Sequence, residues 1–236
     1  MYNYFVYIQN LGEIKAVAFD IDGTLYRTWK LNVRIAGHFL PNSVLFMHYG
    51  LVRKTMHTDT AYEDFSQSQA ELVAKRTGEE PDIVKQKLEK IVYKDLEKFF
   101  PKIKPCKGVI QLIKDLKTAG FKVAALSDFP PEQKGNIWGL RDVFDVSLGT
   151  EEIGALKPSP ISFLKLADAL EIPAEQVLFV GNSHKYDVKG AKAAGMKAAW
   201  FSPRIKTLLG RKSKLAEITF RNYRQLRKIL LPDTIK

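Results

Sequence analysis

Two aspartates separated by one residue follow an apolar run near the start of the chain. The run covers residues 16–19, and the sequence Asp-Ile-Asp-Gly comes directly after it. A short apolar run that ends at a turn residue is typical of a buried strand. Because side chains at i and i+2 of an extended segment point the same way, we expect the carboxylates of Asp20 and Asp22 to lie together. Two such carboxylates do not both ionise cheaply, so either one holds a proton or a cation lies between them.

The Asp pair also has two interpretations that involve no catalysis. Asp followed by Gly is common in plain turns. A calcium-binding loop likewise begins with alternating acids, but its Gly stands at the sixth position and a third ligand precedes it. Gly23 is fourth when counted from Asp20, and no such ligand exists. The pair alone leaves a turn and a chemical site open, and the rest of the chain has to decide between them.

Strand and helix patterns alternate in the second half of the chain. Strand character is found, after the first strand, at residues 121–126, 144–148, 177–180, 197–201 and 217–220. Helical character lies between these strands, at residues 107–119, 131–139 and 160–170, around Asp187, and in a last basic helix. This alternation predicts an α/β fold, a Rossmann-like parallel sheet with helices on both faces. Ligands bind such sheets beyond the carboxyl ends of the strands.

A long stretch without strand character separates the first strand from the rest of the sheet. Residues 61–77 and 81–98 have helical spacing. The predicted organisation is therefore an α/β core with an inserted all-helical domain and an N-terminal extension or added edge strand. The predicted bounds are 14–26 and 105–236 for the core, 27–104 for the insert and 1–13 for the extension.

The stretch Ile35–Val52 has eighteen residues without a formal charge, which is the length of a membrane span. Pro41 lies in its middle, and polar residues such as His38 and His48 would need partners in lipid. We therefore expect no integral membrane segment, and instead two short helices that meet near Pro41. Part of the apolar surface of this stretch should pack within the insert. Three positions are open for the remainder: it packs within the insert as well, it lines the site, or it faces a partner.

Polar groups follow three of the predicted strands, and the Asp pair after the first strand is one of these groups. Ser127 and Asp128 end the strand at 121–126, and Asn182 follows the strand at 177–180, with Asp187 five residues later. A lysine, Lys157, precedes the helix between these two strands. Each group alone is explained by a turn or a helix cap. Together, in order and at the same edge of a sheet, they predict one site.

With these motifs in order, the sequence resembles the haloacid dehalogenase superfamily of phosphatases. The matching residues are Asp20-Ile21-Asp22-Gly23-Thr24, Ser127, Lys157-Pro158 and Gly181-Asn182-Ser183 with Asp187. The resemblance covers about 14–25 and 105–230, and the insert is similar to that family's helical cap of the first type. It implies hydrolysis of a small phosphorylated metabolite, with Mg2+ as cofactor.

The resemblance also implies a role for each residue. Asp20 would be the nucleophile that forms an aspartyl-phosphate. Asp22 would protonate the leaving oxygen and later take a proton from water. Ser127, Asp128 and Lys157 would bind the substrate phosphate, and Lys157 would also balance charge on the carboxylates and on the transferred group. The implied metal ligands are Asp20, the backbone carbonyl of Asp22, Asn182 and Asp187.

One residue departs from the family pattern, because Asn182 stands where an acid is usual. This predicts weaker magnesium binding, since an amide oxygen is neutral. It also leaves open a dehalogenase-type hydrolase or a phosphomutase as an alternative, although Asp22 speaks against dehalogenation. Competing phosphate-binding fingerprints, G-x-x-x-x-G-K-[ST] and G-x-G-x-x-G after a strand, are missing from the sequence.

Composition bounds the remaining possibilities. The net charge is +11, and residues 204–228 hold nine Lys or Arg against one acid, Glu217. We expect a solvated basic face; nucleic acid is disfavoured as a partner because no matching motif accompanies the charge. A non-catalytic or weakly catalytic anion-binding or nucleic-acid-binding protein that uses this face is the alternative of a different class. Cys106 is the single cysteine, which excludes an intramolecular disulfide and fits a cytoplasmic protein. The oligomeric state is left open.

Overall fold

A computed structural model describes residues 7–8, 11–58, 60–202 and 213–232. Within these ranges seven strands form one sheet: β1 (Tyr7–Ile8), β2 (Ala16–Phe19), β3 (Lys122–Ser127), β4 (Val146–Gly149), β5 (Val177–Gly181), β6 (Lys197–Phe201) and β7 (Ile218–Phe220). The strand order is β1-β7-β6-β5-β2-β3-β4. All neighbours pair in parallel except β1, which runs antiparallel to β7 as an added edge strand. The predicted α/β fold class is confirmed.

The central strand β2 is buried on both faces. Val17 and Phe19 pack into one apolar cluster, with the helices on that side of the sheet. Ala16 and Ala18 pack into a second cluster on the opposite side. Side chains alternate between the faces of a strand, so a strand covered by helices on both sides is apolar at every position. This burial explains the continuous apolar run that leads to Asp20.

The described helices are, in chain order, α1 (Thr28–Phe39), α2 (Ser43–Met56), α3 (Phe65–Thr77), α4 (Pro81–Leu88), α5 (Asp95–Glu97), α6 (Val109–Thr118), α7 (Thr150–Ile153), α8 (Pro160–Leu170), α9 (Lys189–Ala193) and α10 (Tyr223–Leu230). Two π-helical turns, Glu89–Lys94 and His184–Val188, continue into α5 and α9 respectively. The helix predicted over 81–98 is thus interrupted by the first of these turns.

The helices α1 to α5 lie between β2 and β3 and form what we call the helical insert. Much of its packing comes from an apolar cluster that includes Val52, Val73 and Leu88, together with Leu156 of the core. The chain leaves and re-enters the sheet side by side, because Tyr26 pairs with Pro105 in an isolated bridge. Domain limits at 27 and 104 fit this arrangement and stay a prediction.

The uncharged stretch Ile35–Val52 contains the end of α1 and most of α2, which meet at a 3-10 turn, Leu40–Asn42. In the part of the chain that the structure describes, no helix is long and apolar enough to cross a membrane. The apolar side chains of the stretch Ile35–Val52 fall into a packed group and an exposed group. Phe46 packs against the core of the insert, whereas Leu40 and Met47 are 71% and 54% exposed.

The helix predicted near residues 131–139 is wrong. The structure has two short 3-10 turns there, Pro131–Lys134 and Ile137–Gly139. Gly135 has a φ of +62° between them, and this left-handed conformation breaks a helix. Of the basic stretch 204–228, residues 204–212 lie outside the described residues.

Candidate active site

Three neighbouring strands bring the predicted site residues to one edge of the sheet. Asp20 follows β2, Ser127 ends β3, and Asn182 follows β5, while β2 lies between the other two strands. Because these strands are parallel, their carboxyl ends meet at one edge, where ligands bind in such folds. Lys157 and Asp187 reach the same edge from the segments before α8 and α9. Asp22 joins them through its contact with Ser127.

Lys157 lies between two buried carboxylates. Its Nζ atom donates to Asp20 Oδ1 at 2.6 Å and to Asp187 Oδ1 at 2.9 Å, and its side chain is 2% exposed. Burial favours the neutral amine, but the charges of Asp187 and Asp20 outweigh it and raise the pKa of Lys157 well above its usual value. The lysine is therefore a fixed positive charge beside Asp20.

Asp20 ionises with difficulty in these surroundings. Burial raises the pKa of Asp20 to about 8; the charge of Lys157 opposes this, while Asp187 and Asp22 add to it. Its second oxygen, Oδ2, accepts a hydrogen bond of 2.7 Å from the hydroxyl of Thr24. One oxygen of Asp20 thus faces an ammonium group, and the other faces a hydroxyl.

Asp22 has three hydrogen-bond donors around its carboxylate. Tyr26 donates through its hydroxyl and Lys134 lies 3.0 Å away, both at Oδ1, while Ser127 Oγ donates to Oδ2 at 3.2 Å. Burial acts to raise the pKa of Asp22, but Lys134 and the hydrogen bonds from Tyr26 and Ser127 lower it below its usual value. Asp22 is therefore an ionised, firmly held carboxylate.

A group of oxygen atoms lies around the hydroxyl of Thr24. Its Oγ1 atom is 2.7 Å from Asp20 Oδ2 and 3.2 Å from Asn182 Oδ1. One hydroxyl proton serves only one acceptor at a time, so one of the two oxygens lacks a partner in this pair. Gly23 makes the approach possible, because its φ is +91° and a Cβ there would lie 2.5 Å from Asn182 Nδ2.

These oxygens fit a hard cation such as Mg2+. Asp20 Oδ2 and Asn182 Oδ1 supply two oxygen ligands that both lie within 3.2 Å of Thr24 Oγ1. In the described ranges no three His, Cys, Asp or Glu side chains converge as a metal cage. Mg2+ does not require one, because it is usually held by one or two carboxylates and keeps several waters.

Asp187 and Asp128 act on the backbone around the site. Asp187 Oδ2 accepts from the amide of Ser183 at 2.8 Å, beside Gly181, where a Cβ would collide with Asp187. Asp128 Oδ1 accepts from Thr150 Oγ1 at 2.9 Å and from the amide of Lys157 at 3.2 Å. Asp128 therefore holds the Lys157 segment, and its predicted contact with phosphate stays a prediction.

The helical insert touches the core beside the site. His57, after α2, hydrogen-bonds through Nδ1 to the carbonyl oxygen of Lys157 and stacks on Tyr186 with ring centroids 4.4 Å apart. Arg53 in α2 forms a buried ion pair with Glu151 of α7, and Tyr93 OH also donates to Glu151. Polar contacts therefore join the insert to the core beside the site.

The sequence predicts seven site residues, and three further residues contact them in the structure. Lys157 links Asp20 to Asp187, and Thr24 links Asp20 to Asn182. Asp22 and Ser127 form a second hydrogen-bonded pair at the same edge, and Asp128 holds the Lys157 segment from outside. The three further residues are Thr24, Tyr26 and Lys134. A spacing of four residues could have indicated Thr24 from Asp20 and Tyr26 from Asp22. No local signal marks Lys134.

Known proteins are similar to this chain over most of its length. The family model described as haloacid dehalogenase-like hydrolase matches residues 14–195. A glyceraldehyde 3-phosphate phosphatase of Methanopyrus kandleri is 29% identical, over 78% of this chain and 82% of that protein. A (S)-2-haloacid dehalogenase of Pseudomonas sp. is 24% identical, over 80% of this chain and 83% of that protein. A phosphatase structure from Thermococcus onnurineus covers 94% of this chain and all of its own, with a TM-score of 0.63 and 23% identity, which compares folds only.

These similarities agree with the geometry of the site. The carboxylates of Asp20 and Asp22, the hydroxyl of Ser127 and the buried Lys157 meet at one edge of the sheet, within or next to segments that the family model matches. The predicted enzyme class, a phosphatase-type hydrolase, is confirmed. The chain belongs to the haloacid dehalogenase-like hydrolases.

Proposed function

We propose that this chain is a magnesium-dependent hydrolase of small phosphate monoesters that works through an aspartyl-phosphate on Asp20. The observation that carries the proposal is the setting of the Asp pair. Asp20 is fixed by Lys157 at one oxygen and by Thr24 at the other, and Asp22 lies within reach of Ser127. A carboxylate nucleophile followed two residues later by a second acid suits a reaction in two displacements.

In the first displacement an oxygen of Asp20 attacks phosphorus and the bond from phosphorus to the leaving oxygen breaks. Lys157 and Ser127 face the charge on the transferred group. The leaving oxygen needs a proton, and Asp22 supplies it. Asp22 is ionised in the structure, but an incoming phosphate is a like charge beside it. That charge raises the pKa of Asp22 and favours the protonated acid.

In the second displacement water attacks the aspartyl-phosphate. Asp22, now ionised after giving its proton to the leaving group, takes a proton from this water. The new bond forms between the water oxygen and phosphorus, and the bond to Asp20 breaks. Free Asp20 and inorganic phosphate result, so the chain returns to its starting state.

Asp20, the backbone carbonyl of Asp22, Asn182 and Asp187 are the residues that would hold Mg2+. When bound, the cation supplies positive charge that neutralises oxygens of the phosphoryl group. Asp187 and Asp20 both accept a hydrogen bond from Lys157, so Asp187 fixes the position of the lysine relative to Asp20. The neutral amide of Asn182 supports only weak binding.

A small phosphorylated metabolite is the proposed substrate class. The related protein from Methanopyrus kandleri bears the name of a phosphatase for such a compound. Asp20, Ser127 and Lys157 are almost fully buried, and the helical insert contacts the backbone of Lys157 through His57. We propose that the insert acts as a cap. Opening of this cap would admit a small ester, and closure would exclude water during the first displacement. The lone Cys106 supports a reducing, cytoplasmic location.

Phosphate release from an aryl phosphate with Mg2+ tests the proposal. Wild type should release phosphate, and Asp20→Asn should lose all turnover because an amide does not form the acyl-phosphate. A panel of phosphorylated metabolites then identifies the substrate. Near-normal activity in Asp20→Asn would show that the assigned mechanism is wrong.

Dehalogenation is the second candidate, because Asn182 lacks the acidic charge and a (S)-2-haloacid dehalogenase is similar to the chain. Halide leaves without a proton, so the first step of this reaction gives Asp22 no role as an acid. Halide release from a 2-haloacid, without phosphate release from any ester, would favour dehalogenation.

A phosphomutase would instead return the phosphoryl group to a sugar hydroxyl. The absence of both reactions would favour the anion-binding alternative.

A further inference from the structure

A second buried ammonium group lies at the edge of the site, beside Asp22, whereas Lys157 lies beside Asp20. Lys134 ends the 3-10 turn after β3, and its side chain is 4% exposed. Its Nζ atom is 3.0 Å from Asp22 Oδ1, and it lies 4.2 Å and 4.8 Å from the ring centres of Phe100 and Phe129. The ammonium group is therefore surrounded by two aromatic rings, the carboxylate of Asp22 and the side-chain oxygen of Gln133, to which it donates at 3.4 Å.

This position is costly for a lysine. A buried ammonium loses its hydration, and an apolar side chain of similar length would fill the same space between two rings at lower cost. In the described part of the chain, Asp22 is the one carboxylate that pairs with Lys134. The charge is therefore directed at Asp22.

The contacts of Asp22 show what Lys134 can do there. Lys134 and Tyr26 both lie at Oδ1, whereas Ser127 donates to Oδ2. In the proposed reaction Ser127 turns to an oxygen of the phosphoryl group and leaves Oδ2. Lys134 and Tyr26 then hold the carboxyl group by Oδ1, so Oδ2 is free to face the leaving oxygen.

The turn that carries Lys134 is tied to the helical insert. The side-chain amide of Gln133 donates to the backbone oxygens of Val92 at 2.8 Å and Tyr93 at 3.1 Å. Both oxygens belong to the π-helical turn between α4 and α5. Phe100, which covers the ammonium group of Lys134, lies in the segment that returns from the insert to the core. These contacts between the insert and the turn therefore fix the position of the Lys134 side chain.

We propose that Lys134 is a positioning residue that holds Asp22 by Oδ1 and so aims Oδ2 at the leaving oxygen, and that Gln133 makes this alignment depend on closure of the insert. The inference rests on the proposed phosphatase function. Lys134 touches Asp22 rather than the reacting atoms, so its effect should be confined to the step that needs a proton.

Two substrates with different leaving groups test this role. An alkyl phosphate needs a proton on its leaving oxygen, whereas 4-nitrophenyl phosphate releases a stable phenolate without one. In Lys134→Met the ratio of kcat/KM for the alkyl ester to that for the aryl ester should fall by about tenfold or more, because misplacing a general acid costs that much. The ratio does not depend on the fraction of folded enzyme. Lys114→Met, at an exposed lysine, is the matched control and should leave the ratio unchanged.

Two further variants complete the experiment. Gln133→Ala should lower the ratio in the same direction by a smaller factor, and Lys134→Gln replaces Lys134→Met if the latter does not fold. An equal loss on both substrates, an unchanged ratio, or a rise in KM alone would overturn the role of Lys134 while the phosphatase function stands. If wild type shows no hydrolysis that depends on Asp20, the proposed function fails, and this inference fails with it.

Discussion

At the scale of single residues, the two aspartates of the site have opposite surroundings. Asp20 lies among buried carboxylates, and burial raises its pKa to about 8. Asp22 is also penalised by burial, but Lys134 and two hydroxyl groups lower its pKa. Environments that separate the pKa values of two identical groups give them different roles in catalysis. In the proposed reaction Asp20 therefore has to lose its proton before it attacks phosphorus, and Asp22 has to gain one beside the incoming phosphate.

The raised pKa of Asp20 predicts how Mg2+ binding depends on pH. A carboxylate must lose its proton before it binds a cation, so the proton on Asp20 competes with the metal below about pH 8. The affinity for Mg2+ should therefore rise by about tenfold or more between roughly pH 6 and pH 8. Calorimetric titration with MgCl2 measures this. An affinity that does not change with pH would contradict the high pKa.

Asn182 predicts the strength of the metal site. In Asn182→Asp a negative charge is added next to Asp20 Oδ2, so Mg2+ affinity should rise by about tenfold. The concentration of Mg2+ needed for half-maximal phosphatase activity should fall accordingly. Asn136→Asp adds the same charge at an exposed position and serves as the control. No change in Asn182→Asp would place the cation away from residue 182.

At the scale of elements, buried polar contacts join the helical insert to the core. Arg53 of α2 pairs with Glu151 of α7, and its guanidinium carbon lies 4.5 Å from the ring centre of Phe129. Burial raises the pKa of Glu151, although Arg53 and the hydrogen bond from Tyr93 oppose it. The pair is directional, so it fixes where α2 rests on the core.

Removal of Arg53 should lower the stability of the fold, because Glu151 then stays buried without its positive partner. Arg53→Met leaves Glu151 as an uncompensated buried carboxylate, so the free energy of unfolding should fall by about 3 kcal/mol. Urea denaturation measures the loss. Lys85→Met, which breaks an exposed ion pair with Asp64, should cost less than about 1 kcal/mol. Similar small losses in both variants would show that the Arg53 pair does not stabilise the interface.

At the scale of the whole molecule, the excess positive charge is concentrated in residues 204–228. Part of it is neutralised within the described region, because Arg227 of α10 pairs with Asp115 of α6 at 2.6 Å. Such internal pairing reduces the charge available to an anionic partner. It is consistent with a solvated basic face.

The basic face should bind nucleic acid weakly and without sequence preference. Affinity for a labelled DNA duplex should fall steeply between roughly 50 and 200 mM salt, because binding of this kind is driven by counterion release. Fluorescence anisotropy at these salt concentrations, with two unrelated sequences, measures both properties. Tight, sequence-selective binding at the higher concentration would contradict a merely solvated face.

The sequence by itself determined the sheet and most of the site. Strand β2 was predictable because its apolar run is local and continuous, and Asp20 and Asp22 follow it within three residues. The parallel topology then implied that Ser127 and Asn182 lie beside them, since parallel strands end at one edge. These inferences need only local pattern and a general rule of connection. The helix expected near 131–139 failed because Gly135 adopts a left-handed conformation.

Only the tertiary structure decided which charges meet. Lys134 resembles any other lysine in the sequence, and its contact with Asp22 exists because the turn after β3 folds back towards the acidic turn after β2. The pairing of Arg53 with Glu151 joins residues 98 apart, one in the insert and one in the core. Such contacts depend on how separate elements pack, which no local pattern encodes. They fix the pKa values and the closure on which the proposed chemistry depends.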